Sequence, residues 1–414
     1  MSIENLNVAA KVQFDNHITK YYEQPHPPIV SNNYGPNDEI RIVVQAQDSF
    51  TLPHDSSILI EGKINWVPAT SDARLGKNFA AFLFQEIRYE LNGVVIDSCR
   101  NVGMTSLMKG LATLTPPQAR ALSNAGFGFD SSNSEQNLSD LNIYDNISGE
   151  FSVKVPLKLL LGLFDDYNKI ILGMRQELIL HRASSDANCL VTTTAGDASS
   201  IEITRIAWYL PHMNTSDVAR INLLQMIRRD DLIYMPFRSW DFHEYPSLLL
   251  TTKHIWSIGS SSMLERPRYV IVAFSENRKN NITKENYKFD NVGLKDMKLY
   301  LNGETYPYVN LNINYPKKLT STIYDMYLKC HKSYYNKDVS DVLLSKKEFN
   351  TSYPLICFDV SRQNDSIKSA SVDIKLEFET SSAPAPNTSC FCLIIHDRIV
   401  TYRALSNVVN KLST

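Results

Sequence analysis

No apolar run in this sequence approaches the roughly 20 residues that a membrane-spanning helix needs. The most apolar run, Leu157 to Phe164 (LKLLLGLF), is already interrupted by Lys158. A secretory leader is not expected either, because the opening MSIENLNVAAKVQFD is polar and broken by charge. An excess of one charge is also missing: 42 Lys and Arg against 44 Asp and Glu leave a net charge of −2. A broad nucleic-acid-binding face needs clustered Lys and Arg, so no specific nucleic-acid binding is expected. Cysteine is sparse, with six residues scattered at 99, 189, 330, 357, 390 and 392. Without a secretion signal they read as reduced and mostly buried thiols. Cys390-Phe391-Cys392 would put both sulfurs on one face of a strand, and no second Cys or His pair has zinc-ligand spacing.

Signatures of catalysis are missing as well. None of the nine histidines sits in a His-x-His pair, which a cupin-type metal site would use. Asp165-Asp166 and Asp230-Asp231 are adjacent acids, whereas paired catalytic carboxylates converge from separated positions. They read as solvated turns and cap positions. Ser361-Arg362 lacks the Gly-x-Ser-x-Gly elbow, and Gly259-Ser260-Ser261-Ser262 lacks the Lys and glycine spacing of a phosphate loop. The basic pairs Arg228-Arg229 and Lys346-Lys347 read as solvated faces. No catalytic residue, no cofactor and no bound metal is therefore expected. With no entry to the secretory pathway expected, the sequons Asn146-Ile147-Ser148 and Asn350-Thr351-Ser352 read as chance occurrences.

What the chain does have is strand pattern. Its 21 Tyr and 17 Phe favour strands over helices. Phe84 to Asp97 (FQEIRYELNGVVID) alternates apolar and polar residues, breaks at Asn92-Gly93 and resumes. Alternation buries one face of a strand, and Asn-Gly supplies the two positive-φ residues of a type I′ turn. Met297 to Tyr306 (MKLYLNGETY) repeats the pattern, with Asn302-Gly303 at the break, 210 residues later. In both places a Thr-Ser pair follows, Thr105-Ser106 and Thr320-Ser321, leading into helical spacing. The repeat is read as an internal duplication.

At 414 residues the chain exceeds one ordinary core. Many short strands with regular turn signals indicate sandwiches, and about eight per half suit jelly rolls. The fold expected is all-β: two tandem eight-stranded jelly-roll sandwiches with short helices in the loops. The divisions expected are an N-terminal arm (1–35), a first jelly roll (36–213), a linking helix (214–231), a second jelly roll (232–403) and a C-terminal tail (404–414). Pro25, Pro27 and Pro28 mark the arm as extended and outside the core. Residues 117–150 and 317–349 are too long to be simple connections, and the second is rich in aromatics: Tyr324, Tyr327, Tyr334 and Tyr335. These four are candidate contacts between copies of the chain, as is Trp240. In SWDFHEY, Trp240, Phe242 and Tyr245 read equally well as interface anchors or as core.

Several segments occur in a telling order. They are LPHDSSILIEGKI (Leu52–Ile64), FLFQEIRYELNGVVIDSCRNVGMTSLMKG (Phe82–Gly110), RPRYVIVAF (Arg266–Phe274), KLYLNGETYPY (Lys298–Tyr308), PLICFDVSRQNDSIK (Pro354–Lys368) and LIIHDRIVTY (Leu393–Tyr402). Together, from about Glu39 to Leu412, the chain resembles double jelly-roll major capsid proteins of adintoviruses, Polinton-like elements and related arthropod DNA viruses. The resemblance implies a structural subunit that trimerises into pseudo-hexagonal capsomers and builds an icosahedral shell. It implies partners in the chain itself and in minor or penton capsid proteins, and a place in the virion after assembly inside the host cell. Two other readings share the same β architecture: a jelly-roll binding module, or a host-domesticated relative that makes no particles. A third is an enzyme built on that scaffold.

Overall fold

The computed structural model describes residues 17–30, 34–45, 49–129, 138, 141–194, 196–258, 266–336, 341–362 and 373–412. The first sixteen residues of the expected arm, the Gly259–Ser262 stretch and part of the 117–150 excursion lie outside the described residues.

In the first half the strands are β1 (Ile18–His26), β2 (Glu39–Val44), β3 (Phe50–Thr51), β4 (Ser57–Asn65), β5 (Arg74–Leu75), β6 (Phe84–Leu91), β7 (Val94–Arg100), β8 (Glu150–Pro156), β9 (Gln176–Arg182), β10 (Leu190–Val191) and β11 (Ser200–Thr215). Those of the second half are β12 (Ile233–Tyr245), β13 (Lys253–Ile258), β14 (Arg266–Glu276), β15 (Leu294–Leu301), β16 (Glu304–Tyr306), β17 (Ile356–Asp359), β18 (Ile374–Thr380), β19 (Thr388–Arg403) and β20 (Val408–Leu412). The helices are α1 (Phe79–Phe82), α2 (Val102–Thr113), α3 (Pro116–Ala121), α4 (Gly162–Asp166), α5 (Asp217–Arg229), α6 (Ser321–Tyr335) and α7 (Lys346–Thr351).

The two halves have one topology. The first packs a sheet of order β1-β11-β4-β8 on one of order β2-β9-β6-β7; the second packs β12-β19-β14-β17 on β13-β18-β15-β16. Counted along the chain within each half, both read 1-8-3-6 over 2-7-4-5, with antiparallel pairing throughout. Each half is an eight-stranded jelly roll. The short β3 and β20 add to the eighth strands β11 and β19, and β5 pairs with β10 outside the sandwich. Period-two alternation is visible where one face meets the core. In β8 (EFSVKVP) Phe151, Val153 and Val155 are buried between more exposed residues, and β18 (IKLEFET) buries Ile374, Leu376 and Phe378 in the same way.

Two expected divisions are corrected. Residues 18–26 are not a free arm: they are the first strand of the first jelly roll, paired with β11 from Ile18↔Thr215 to His26↔Trp208. Nearly all of their side chains are exposed, so the sequence carries no alternation to announce the strand. Likewise the expected tail returns as β20, paired with Ile399–Arg403 of β19. The helical stretch around Tyr334-Tyr335 is one continuous helix, α6, ending at Asn336 with φ of 52°.

Leu91-Asn92-Gly93 and Leu301-Asn302-Gly303 close equivalent hairpins, between the fourth and fifth strands of each half. Asn92 and Asn302 both have φ of 49°, and Gly93 and Gly303 follow at 79° and 88°. Each Asn also makes the same two bonds. Asn92 N–H donates to Arg175 C=O while Asn92 Oδ1 accepts from Arg175 N–H; Asn302 does the same with Asp373. Arg175 and Asp373 each stand directly before the seventh strand. Between the fifth and sixth strands each half carries an insertion of 49 residues, 101–149 and 307–355, which holds α2 and α3 or α6 and α7.

Candidate functional site at the seam between the two sandwiches

The densest chemistry lies where the halves meet. α2 of the first insertion packs on α6 of the second, and β12 runs against α4 and β7. Every residue of α2 is buried, because its two sides meet its own sandwich and the other one. Tyr327 Oη donates to Leu111 C=O at 3.1 Å, and His331 Nε2 lies 3.3 Å from Leu114 C=O. Both contacts satisfy carbonyls at the C-terminal end of α2, which have no partner inside that helix.

Two ion pairs lie at the seam: one is within the first half and closed over by residues of the second, and one crosses. Lys109 Nζ, with a side chain only 2% exposed, donates to Asp165 Oδ2 at 2.9 Å and to Tyr335 Oη at 2.8 Å, and Tyr335 Oη donates to the same carboxylate. The rings of Trp240, Tyr334 and Tyr335 surround the ammonium at 5.0, 5.5 and 5.3 Å from their centroids. Burial alone would raise the Asp165 carboxyl, but Lys109 and the Tyr335 hydroxyl hold it below the usual range. In the second pair Arg238 grips Asp166 with two guanidinium nitrogens, and its own backbone N–H donates to the same carboxylate at 2.8 Å. Its third side-chain bond goes to Tyr334 C=O at 2.7 Å, and the guanidinium lies 3.8 Å from the Tyr334 ring centroid. This planar, bidentate geometry is specific to arginine.

Backbones also come close at the seam. A Cβ placed on Gly162, the first residue of α4, would lie 1.8 Å from Arg238 C=O, so only glycine fits there. Nearby, Asp97 on β7 is fully buried and accepts from Leu163 N–H at 2.9 Å and Ser98 N–H at 3.0 Å. Burial pushes its carboxyl up to about 6, against the pull of Arg398 from the second half and of those N–H groups. The seam continues through Leu172 N–H to Tyr402 Oη, a reciprocal pair between Asn188 and Asn280, and Asn92 Nδ2 to Asn407 Oδ1.

The placement of the candidate residues differs from expectation. Trp240, Tyr327 and Tyr334 are 2%, 0% and 4% exposed. Tyr324 and Tyr335 are partly buried. Trp240, Tyr327 and Tyr334 are therefore corrected from contacts between copies to internal packing, and Tyr324 and Tyr335 also pack within the chain. The reason is that α6 folds back onto α2 instead of pointing outward. Tyr324 packs on Tyr327 and Phe349 and donates to Leu344 C=O within the second insertion. Asp165-Asp166 are not a solvated turn, since each acid meets a cation of the seam. Asp230 does act as a cap: its φ is 55°, and Oδ1 accepts from Leu405 and Ser406 N–H. Lys109, Arg238 and Gly162 were not singled out from sequence. A lysine inside the apolar run MTSLMKGLATL was the one signal available for them.

All six cysteines are buried and unbridged. Among the described residues no three His, Cys, Asp or Glu side chains gather as a metal site would require. The charged groups of the seam neutralise one another, so the arrangement works as a rigid joint between two sandwiches.

Comparison with known proteins agrees with the topology. A family model described as a double jelly roll-like domain matches residues 73–400. A search of curated proteins finds none that matches. Among solved structures, the chain is similar to that of the Sputnik virophage, with a TM-score of 0.66 and 8% identity over 100% of this chain and 92% of that one. It is similar to the PBCV-1 virus capsid, with a TM-score of 0.63 and 10% identity over 98% and 99% of the two chains. It is also similar to the mavirus major capsid protein, with a TM-score of 0.60 and 12% identity over 99% and 93%. At such identities the likeness is one of fold. From its topology and the family match, the chain belongs to the double jelly roll-like domain family.

Proposed function

We propose that this chain is a non-enzymatic, structural major capsid protein that forms homotrimeric, pseudo-hexagonal capsomers in the icosahedral shell of a Polinton-like DNA virus. The observation that carries the reading is the seam itself. Two sandwiches of identical topology are joined side by side by a partly buried ion pair, hydrogen bonds and aromatic packing into one rigid block. The near full-length likeness to the PBCV-1 capsid and the mavirus major capsid protein supports the same reading. Three such blocks around a three-fold axis present six similar sandwiches, which tile a flat facet. The virion is then its location, and other copies and minor or penton capsid proteins are its partners. Specific nucleic-acid binding is not part of the role, given the balanced charge. Solution mass measurement with negative-stain electron microscopy tests the proposal. Trimers or closed shells are expected; a stable monomer at micromolar concentration, with no particles at any salt or pH, overturns it.

A further inference from the structure

Along β1 only Tyr22 and His26 are even half-buried. Both lie on the inner side of the strand, facing His212 of β11, which is 3% exposed. His26 Nε2 and His212 Nε2 are 3.0 Å apart. Ser49 Oγ lies 2.7 Å from His212 Nδ1, and the Tyr22 ring stacks on the His212 imidazole with centroids 5.6 Å apart. Beyond Tyr22 stands another cation, Lys20, with Nζ 4.5 Å from the Tyr22 ring centroid. The acids nearby are turned to the other side of the strand. Glu23 is held by Lys154 of β8 at 2.6 Å, and Asp55, beside His54, acts on Tyr21. Among the described residues the hydrogen-bond partners of the two rings are thus each other and Ser49, and no carboxylate is among them.

The duplication supplies a control. β11 and β19 are both 16 residues long. Tyr209 of β11 pairs with Ser57 at the start of β4, and Asp397 of β19 pairs with Arg266 at the start of β14. In this alignment His212 corresponds to Val400. His26, opposite Trp208, corresponds to Ser239, opposite His396. The second sandwich closes the same corner with a buried serine and a buried valine, so the fold does not call for two imidazoles there.

We propose that His26 and His212 form an acid-sensitive latch that holds β1 on the edge of the first sandwich at neutral pH and releases it as the rings take up protons. A bond between two Nε2 atoms needs one N–H and one lone pair. One added proton puts a cation where no described carboxylate bonds it, and a second removes the lone pair and sets two charges face to face. Release would bare the edge of β11, a row of backbone groups able to pair with another strand.

The direction of the pH effect follows. Burial, with His212 nearby, lowers His26 from 6.5 to about 4, and burial lowers His212. A base that is weaker docked than free costs the docked state nothing above the free value of 6.5. The docked state then loses ground as pH falls from 6.5 toward 4. Because His26 is half-buried and screened by solvent, a loss of roughly ten-fold in the docked-to-released ratio is expected between about pH 7.5 and about pH 5.

Hydrogen exchange of the full chain, followed by mass spectrometry and corrected for intrinsic rates, tests this. Protection of residues 18–26 should fall about ten-fold over that pH range while β14 keeps its protection. His26→Gln or His212→Gln, which retain a polar side chain without a titrating ring, should flatten the dependence. Unchanged protection of residues 18–26, an equal fall in both variants, or simultaneous loss from β14 would each overturn the latch.

Discussion

The paired asparagines show how much one side chain can specify. Asn302 tolerates a φ of 49°, and its Oδ1 accepts from Asp373 N–H at 2.8 Å, fastening the hairpin to the start of β18. Asn302→Gly keeps the backbone freedom and loses the bond, a cost of about 1 kcal/mol. Asn302→Ala loses the bond and holds a Cβ in the left-handed region without asparagine's tolerance of it, for about 1 kcal/mol more. Guanidinium unfolding should rank wild type above Gly above Ala; equal stability of the two variants would mean that the turn carries no strain. Asp97 makes a pH prediction. Its carboxyl rises from 3.8 to about 6 on burial. A raised acid stabilises the fold fully below its free value and loses that contribution as pH climbs through the folded value. Stability relative to Asp97→Asn should therefore drop by on the order of 1 kcal/mol per pH unit between about pH 4 and about pH 6. A difference that stays constant over that window would show a charged Asp97 in the fold. The Asn-Gly turns were legible in the sequence because their chemistry is local. Asp97 was not, since its burial depends on Leu163 and Arg398, both far away in the chain.

Among the elements, legibility tracks burial. β4, β6, β8, β15 and β18 each bury one face, and their alternation could be read directly. β1 escaped because an edge strand with exposed side chains has no pattern to show, and its Pro25 reads as a loop. β12 extends through SWDFHEY to Tyr245 because both of its faces are covered at Trp240, one by its own sandwich and one by the seam. Helix α6 carries an apolar and aromatic face that sequence alone assigns to no particular partner, and it found α2 of the same chain. The Arg238–Asp166 pair joins positions 72 residues apart, and only the docking of two sandwiches brings it together; Lys109–Asp165, 56 residues apart, lies within the first half and is closed over by Tyr335 of the second. Such buried pairs are costly to break and cheap to replace. Lys109→Met should lower stability by about 3–5 kcal/mol, because Asp165 then keeps only the Tyr335 hydroxyl. The double variant Lys109→Met with Asp165→Leu should recover much of that loss in thermal unfolding. A double variant as unstable as the single one would assign the loss to packing around the Trp240 and Tyr334 rings instead.

On the scale of the whole molecule, the seam uses unlike surfaces: the outer face of β12 on one side, and α4 with β7 on the other. A contact between unlike surfaces can repeat, and it closes a ring when the rotation allows. Both sandwiches have the same topology, so each carries a counterpart of both surfaces. The counterpart of β12 is β1, and the counterpart of β7 is β16. Neither is covered by the described residues of the chain. Tyr21 on the outer face of β1 is 51% exposed, and Tyr308 and Val309 just after β16 are 77% and 68% exposed. Seating β1 of one copy beside β16 of the next would repeat the internal seam between chains and close six sandwiches into a ring of three copies. Apolar side chains left bare at both ends of the block fit that use. Tyr21→Glu and Tyr308→Glu alter solvent-exposed positions, so each should leave the unfolding free energy of the monomer within about 0.5 kcal/mol of wild type. Each should nevertheless shift the mass distribution from trimer toward monomer by placing a charge at an apolar contact. The two changes act on opposite halves of the same interface, so combining them should add little once either has broken the ring. Trimers that persist in both single variants would show that copies meet through other surfaces, even if the chain still builds a capsid.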